Sequence, residues 1–151
     1  MAARVDRRPP APGRFITVNG INWHVEESGS KGPGLLLFHG FLGSSAGWRR
    51  AISDLGQNFR VAAVDFPGAG YSERPANLPY DLHWFASQVP ALIAELGFQR
   101  PFIGGHSFGG SVAIHAAARN PALARGLLLA APLVYQQRPP PGLRFAKRQP
   151  G

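Results

Sequence analysis

The chain has 151 residues, no cysteine and a formal net charge of +8. That length suits one ordinary domain with a sizeable core, and the missing cysteine excludes disulfides, thiolate zinc sites and a cysteine nucleophile. No apolar run approaches the ~20 residues needed to span a bilayer, and the start, Met1 to Arg14, is Arg- and Pro-rich without the apolar core of a secretory signal. A cytoplasmic protein is expected.

The charge is unevenly spread. Residues 15–132 carry eight Lys/Arg against seven Asp/Glu, so the surplus lies at the ends. Arg4, Arg7, Arg8 and Arg14 face only Asp6, and Arg138, Arg144, Lys147 and Arg148 are unopposed. Both ends are also proline-rich, which predicts flexible, solvated tails over 1–13 and 133–151 around a folded region at 14–132. A basic-tailed nucleic-acid or membrane binder is the weakest of three functional readings. No recognition module or aromatic interleaving supports it, and no specific nucleic-acid partner is expected.

In chain order, Phe15 to Val18 and Ile21 to Glu26 alternate around Asn19-Gly20, predicting a β-hairpin. Leu35 to Phe38 is wholly apolar, as expected of a strand buried on both faces. A glycine-rich loop, His39 to Gly47, leads to helical spacing at Trp48, Ala51, Ile52 and Leu55, ending near Gly56. Arg60 to Asp65 is a second buried strand, broken by Pro67-Gly68-Ala69-Gly70. Asp81 caps a predicted helix running to Leu96, with Pro90 a local irregularity. A strand from Pro101, a helix from Gly110 to Asn120 and an apolar strand, Gly126 to Ala131, complete the pattern. Strands alternating with helices after an initial hairpin predict an α/β fold. Its sheet is mostly parallel, with an N-terminal antiparallel hairpin and helices on both faces.

The most informative segment is Gly105-His106-Ser107-Phe108-Gly109. A G-x-S-x-G between a strand and a helix matches a nucleophile elbow, in which a tight turn lifts the serine hydroxyl clear of the sheet. Two further loops follow strands: His39-Gly40-Phe41, and Asp65-Phe66-Pro67-Gly68-Ala69-Gly70-Tyr71-Ser72. Ligands of open α/β sheets bind at such strand ends. A strand-end Asp65 is expected to bond loop backbone rather than act as a general acid. Trp23, Trp48 and Trp84 are expected to pack the core.

In these three motifs, over roughly residues 14–135, the chain resembles the serine-nucleophile branch of the α/β-hydrolase fold family. The resemblance implies Ser107 as nucleophile, the backbone N–H groups of Phe41 and Phe108 as oxyanion hole, and His39, Gly40, Gly105, His106 and Gly109 as supporting loop. Members with aspartate at the elbow open epoxides or remove halogens. The serine here implies an ester, thioester, lactone, amide or C–C acyl substrate. No cofactor and no metal are implied.

The family order is serine, then acid, then histidine. After Glu95 this sequence has no Asp or Glu, and after Ser107 its only histidine is His115. His115 lies eight residues along the elbow helix, about 12 Å down its axis. His106 is expected to point elsewhere, His39 to be structural, and His24 and His83 to be surface or half-buried. The chain is therefore expected to be a truncated, split or fragmentary core whose final segment approaches a cap. The runner-up reading is a non-catalytic binding protein retaining the scaffold. Either way Gly126–Ala131 is expected to form an exposed apolar edge open to self-association or complementation.

Overall fold

A computed structural model describes residues 11–134. Six strands form one sheet in the order β1-β2-β4-β3-β5-β6. The hairpin pairs β1 (Arg14–Val18) with β2 (Ile21–Ser28) in the register Val18↔Ile21. Asn19 and Gly20 both take positive φ (48° and 80°), as a type I′ turn demands. β2 then runs antiparallel to β4 (Arg60–Val64). β3 (Gly34–Phe38), β4, β5 (Phe102–His106) and β6 (Gly126–Ala130) are mutually parallel.

Alternation along β3 sorts the helices. Leu35 and Leu37 join Val61, Ala63 and Ile52 on the face covered by α1 (Arg49–Leu55). Leu36 and Phe38 join Ala62, Val64 and Ile103 beneath α2 (Leu82–Glu95) and α3 (Phe108–Arg119). Complete burial of the four β3 side chains explains why this strand is uniformly apolar. Asp81 caps α2 by accepting a hydrogen bond from the Trp84 N–H at 2.8 Å. Pro90 sits on the exposed side of α2, where its ring is accommodated inside the helix.

The chain moves from β3 outward to β4, then crosses to β5 on the other side of β3. The strand order therefore reverses beside β3, which makes the carboxyl ends of β3 and β5 the place where loops part to leave a crevice. On the far side of β5, β6 is the last strand among the described residues, and Leu127, Leu128 and Leu129 are each about 40% exposed.

The folded region agrees with the expected elements, with one addition. A 3-10 turn, Ser45–Trp48, precedes α1. Arg14, where the expected folded region begins, is the first residue of β1 and pairs with Glu27 through two hydrogen bonds of 2.6 and 3.0 Å. The expected flexible tails lie, apart from Ala11–Gly13 and Leu133–Val134, outside the described residues.

Candidate active site

Ser107 occupies the one-residue turn between β5 and α3 at φ 50°, ψ −116°. A non-glycine residue there is strained by about 1–3 kcal/mol, and such strain persists only where the surroundings over-determine it. Here they do. The Ser107 N–H donates to Ala130 O at 3.0 Å, tying the elbow to the end of β6. The Ser107 carbonyl accepts from Ser111 N and Leu133 N, both at 3.2 Å. Ser111 Oγ in turn donates to Leu133 O at 2.5 Å.

The flanking glycines are required by close approach. A Cβ on Gly109 would stand 2.5 Å from the carbonyl oxygens of both Phe38 and His39, and one on Gly105 would strike the Gly109 backbone. Side chains at these two positions would push α3 off β3 and open the turn. The G-x-S-x-G pattern is thus the packing condition for bringing a helix start against two strand ends.

The loop after β3 supplies the facing wall. Gly40 O accepts from Gly43 N at 3.0 Å and from His39 Nδ1 at 2.7 Å, closing a tight turn that carries Phe41 and Leu42 outward. The His39 Nε2 accepts the Phe66 N–H at 3.1 Å, so its two partners fix one neutral tautomer. Burial holds the His39 pKa below the ordinary histidine range, against the opposing pull of its Gly40 bond and the Asp65 charge. His39 therefore links the β3 loop to the β4 loop, with both ring nitrogens already engaged. Among the described residues, the backbone N–H groups of Phe41 and Phe108 and the Ser107 hydroxyl have no hydrogen-bond partner.

A buried polar network holds both loops. The Asp65 carboxylate, fully buried, accepts from Ser45 N at 2.5 Å, Tyr71 N at 2.8 Å and His24 Nδ1 at 2.9 Å. One side chain thereby anchors the end of the β3 loop, the far side of the β4 loop and strand β2. Ser72 Oγ adds a bond to Asp65 O at 2.7 Å and receives the His24 N–H at 2.8 Å. Beside it, buried Glu26 accepts two bonds of 2.8 Å from Arg49 and one of 3.1 Å from Ser45 Oγ. That pairing holds the Arg49 guanidinium above its ordinary pKa.

His24 corrects the expectation of a surface or half-buried histidine. It is fully buried, with Nδ1 on Asp65 and Nε2 against Pro12 O. The reason is that β2 has cover on both faces here, so Trp23, His24, Val25 and Glu26 are all buried in succession. The polar members of such a run need partners, and a histidine and glutamate inside an apolar stretch were the available signal.

The elbow and the β3 loop border an open cleft of about 820 Å³. Ser107, Phe41, Gly40, Trp48, His106 and Arg74 all line it. His106, expected to point elsewhere, is exposed in this cleft with its ring against Gly40. An apolar chamber of about 400 Å³ adjoins it, lined by Phe66, Phe85, Phe108 and Tyr80 and sharing the Gly40–Gly43 rim. Trp23 is fully buried in the core, while Trp84 packs half-buried against it and Trp48 both packs and lines the cleft. His115 is on α3 with its ring 5.4 Å from that of His83 and borders neither cavity. Among the described residues, no group of three His, Asp or Glu side chains is placed to hold a metal ion, and no helix is long and apolar enough to cross a membrane.

These features define an open α/β sheet carrying a strained strand–turn–helix serine at its switch point. The chain belongs to the alpha/beta hydrolase fold family, whose model matches residues 33–151. It is 34% identical over 123 residues to 2-hydroxymuconate semialdehyde hydrolase of Pseudomonas sp. (strain CF600), covering 80% of this chain and 43% of that one. It is 37% identical over 112 residues to a soluble epoxide hydrolase of Corynebacterium sp. (strain C12), covering 74% and 38%. The crystal structure of N-formylmaleamic acid deformylase from Pseudomonas putida S16 matches with a TM-score of 0.75 and 29% identity, covering 84% of this chain and 50% of that one. The chain thus spans half or less of the length of these relatives.

Proposed function

We propose that the chain carries the nucleophile and oxyanion hole of a serine hydrolase acting on a carboxylic ester or related acyl compound. The observation that carries this reading is the strained φ of Ser107 beside two unpartnered N–H groups, those of Phe41 and Phe108. In the proposed reaction the Ser107 oxygen attacks the acyl carbon and loses its proton to a base. The carbonyl oxygen becomes an oxyanion between the two N–H donors. Its collapse breaks the bond to the leaving group, which departs with a proton, and water then releases the acid and restores Ser107. Loss of one such donor lowers the rate by about 10²–10³.

Hydrolysis fits the names of the relatives, which include a semialdehyde hydrolase and a deformylase. The epoxide hydrolase among them is a reminder that the family supports more than one chemistry. Serine at the elbow favours acyl transfer. Among the described residues, no base is hydrogen-bonded to the Ser107 hydroxyl. No carboxylate follows Glu95, His115 turns to His83, His39 has both nitrogens occupied, and His106, in the cleft, lies with its ring against Gly40 and makes no bond to Ser107. The chain by itself is therefore proposed to be a weak or inactive catalyst, because the triad members act as a unit.

That same gap favours a second reading, a non-catalytic binding or interaction protein that keeps the scaffold. Hydrolysis of p-nitrophenyl acetate by the chain, beside Ser107→Ala, separates the two. Slow release that falls to background in Ser107→Ala is expected; equal rates for the two proteins would leave the scaffold reading standing.

A further inference from the structure

We infer that the cleft is built for an acyl compound bearing a carboxylate, and that Arg74 is the residue that selects it. This rests on the acyl-substrate reading above and adds a substrate class to it. Arg74 lines both the Ser107 cleft and the adjoining aromatic chamber, so it stands where the two meet. Among the described residues it is the sole Lys or Arg bordering them, and no Asp or Glu borders either. The other titratable groups there are His39, neutral by its partners, exposed His106, and Tyr80, whose hydroxyl donates to Pro75 O at 2.6 Å. Among the described residues, a carboxylate entering this space meets one fixed positive charge and no fixed negative one.

The guanidinium is also held in place. Its two terminal nitrogens donate to Ser72 O at 3.2 Å and Gly70 O at 2.7 Å, within the loop that Asp65 anchors through Tyr71 N. Arginine has five N–H donors, so this clip leaves three for a ligand. A loop clip alone would not require a charge, and among the described residues Arg74 forms no ion pair. The neighbouring Glu73 is committed elsewhere, accepting the Asn22 N–H at 2.9 Å. An arginine already ordered by its own loop loses little further freedom on binding, and its planar fork suits a carboxylate.

The test is equilibrium binding of two near-isosteric probes, monomethyl succinate and dimethyl succinate, followed by the fluorescence of the tryptophans, of which Trp48 borders the cleft. The account predicts that the monoanion binds about tenfold more tightly, as one charge-assisted hydrogen bond would give. The preference should shrink as salt is raised, vanish in Arg74→Gln and survive in part in Arg74→Lys. Equal binding of the two probes, or a preference that persists in Arg74→Gln, would overturn the inference. Because binding needs no chemistry, an inert Ser107 with an intact anion preference strikes only the hydrolase reading. A reactive Ser107 without that preference strikes only the role of Arg74.

Discussion

The two sides of β3 are built differently. Toward β4 and β2, buried polar groups pair with one another: Asp65 binds three donors, Glu26 binds Arg49 and Ser45, and His39 spans two loops. Toward β5 and β6, the elbow is held by backbone bonds and glycine packing, and the outermost strand presents three leucines partly to solvent. On the proposed reading, the first side holds the loop that carries the Phe41 donor of the oxyanion hole. The second carries Ser107 and the Phe108 N–H, and among the described residues no base is bonded to the Ser107 hydroxyl. On the proposed reading, donors for charge stabilisation and a paired group for proton transfer are thus separable in this fold, and the described residues offer the donors.

The largest effect is expected on the polar side. Asp65→Ala leaves buried His24 Nδ1, the buried Ser45 N–H and the part-buried Tyr71 N–H without their acceptor, which should cost about 3–5 kcal/mol or prevent folding. Urea unfolding checks this, and a loss near zero would mean the network is not closed as described. On the elbow side, Gly109→Ala puts a methyl against two strand carbonyls and should cost about 1–3 kcal/mol. It should also abolish phosphonate labelling of Ser107, because α3 must move away from β3.

A subtler difference concerns pH. Burial lowers the His39 pKa in the folded state. The unfolded chain therefore takes up that proton more readily, so the stability His39 contributes is complete above the ordinary histidine value of about 6.5. It is lost progressively as pH falls below that value. Melting temperatures of His39→Gln, followed from pH 8 to 5, should fall less steeply than those of the parent chain; parallel curves would remove His39 from the account. The smallest folding effect belongs to the open edge. Leu128→Lys should change stability by about 1 kcal/mol or less while reducing self-association in sedimentation, because a charge on an exposed strand discourages edge pairing.

Much of this was legible in the sequence, for identifiable reasons. The Asn19-Gly20 turn, the uniformly apolar Leu35–Phe38 and the glycines around Ser107 each leave a local mark, because each answers a local steric or burial demand. Burial of His24 left only a faint one. Its cover comes from the loop carrying Asp65, about forty residues away, and from Pro12. The placement of His106 and Arg74 in the cleft is equally non-local, since both depend on how three strand-end loops lean together. The absence of a carboxylate after Glu95 needed no structure at all.

The central claim is that Ser107 is a poised nucleophile without a built-in base. The most direct test is the mass and site of the adduct formed with a small fluorophosphonate, measured from pH 6 to 10 beside Ser107→Ala. The account predicts a single adduct on Ser107, absent from the variant, formed slowly and at a rate that climbs steadily with hydroxide. No adduct on Ser107, or an inflection in the histidine range near pH 6–7, would contradict it.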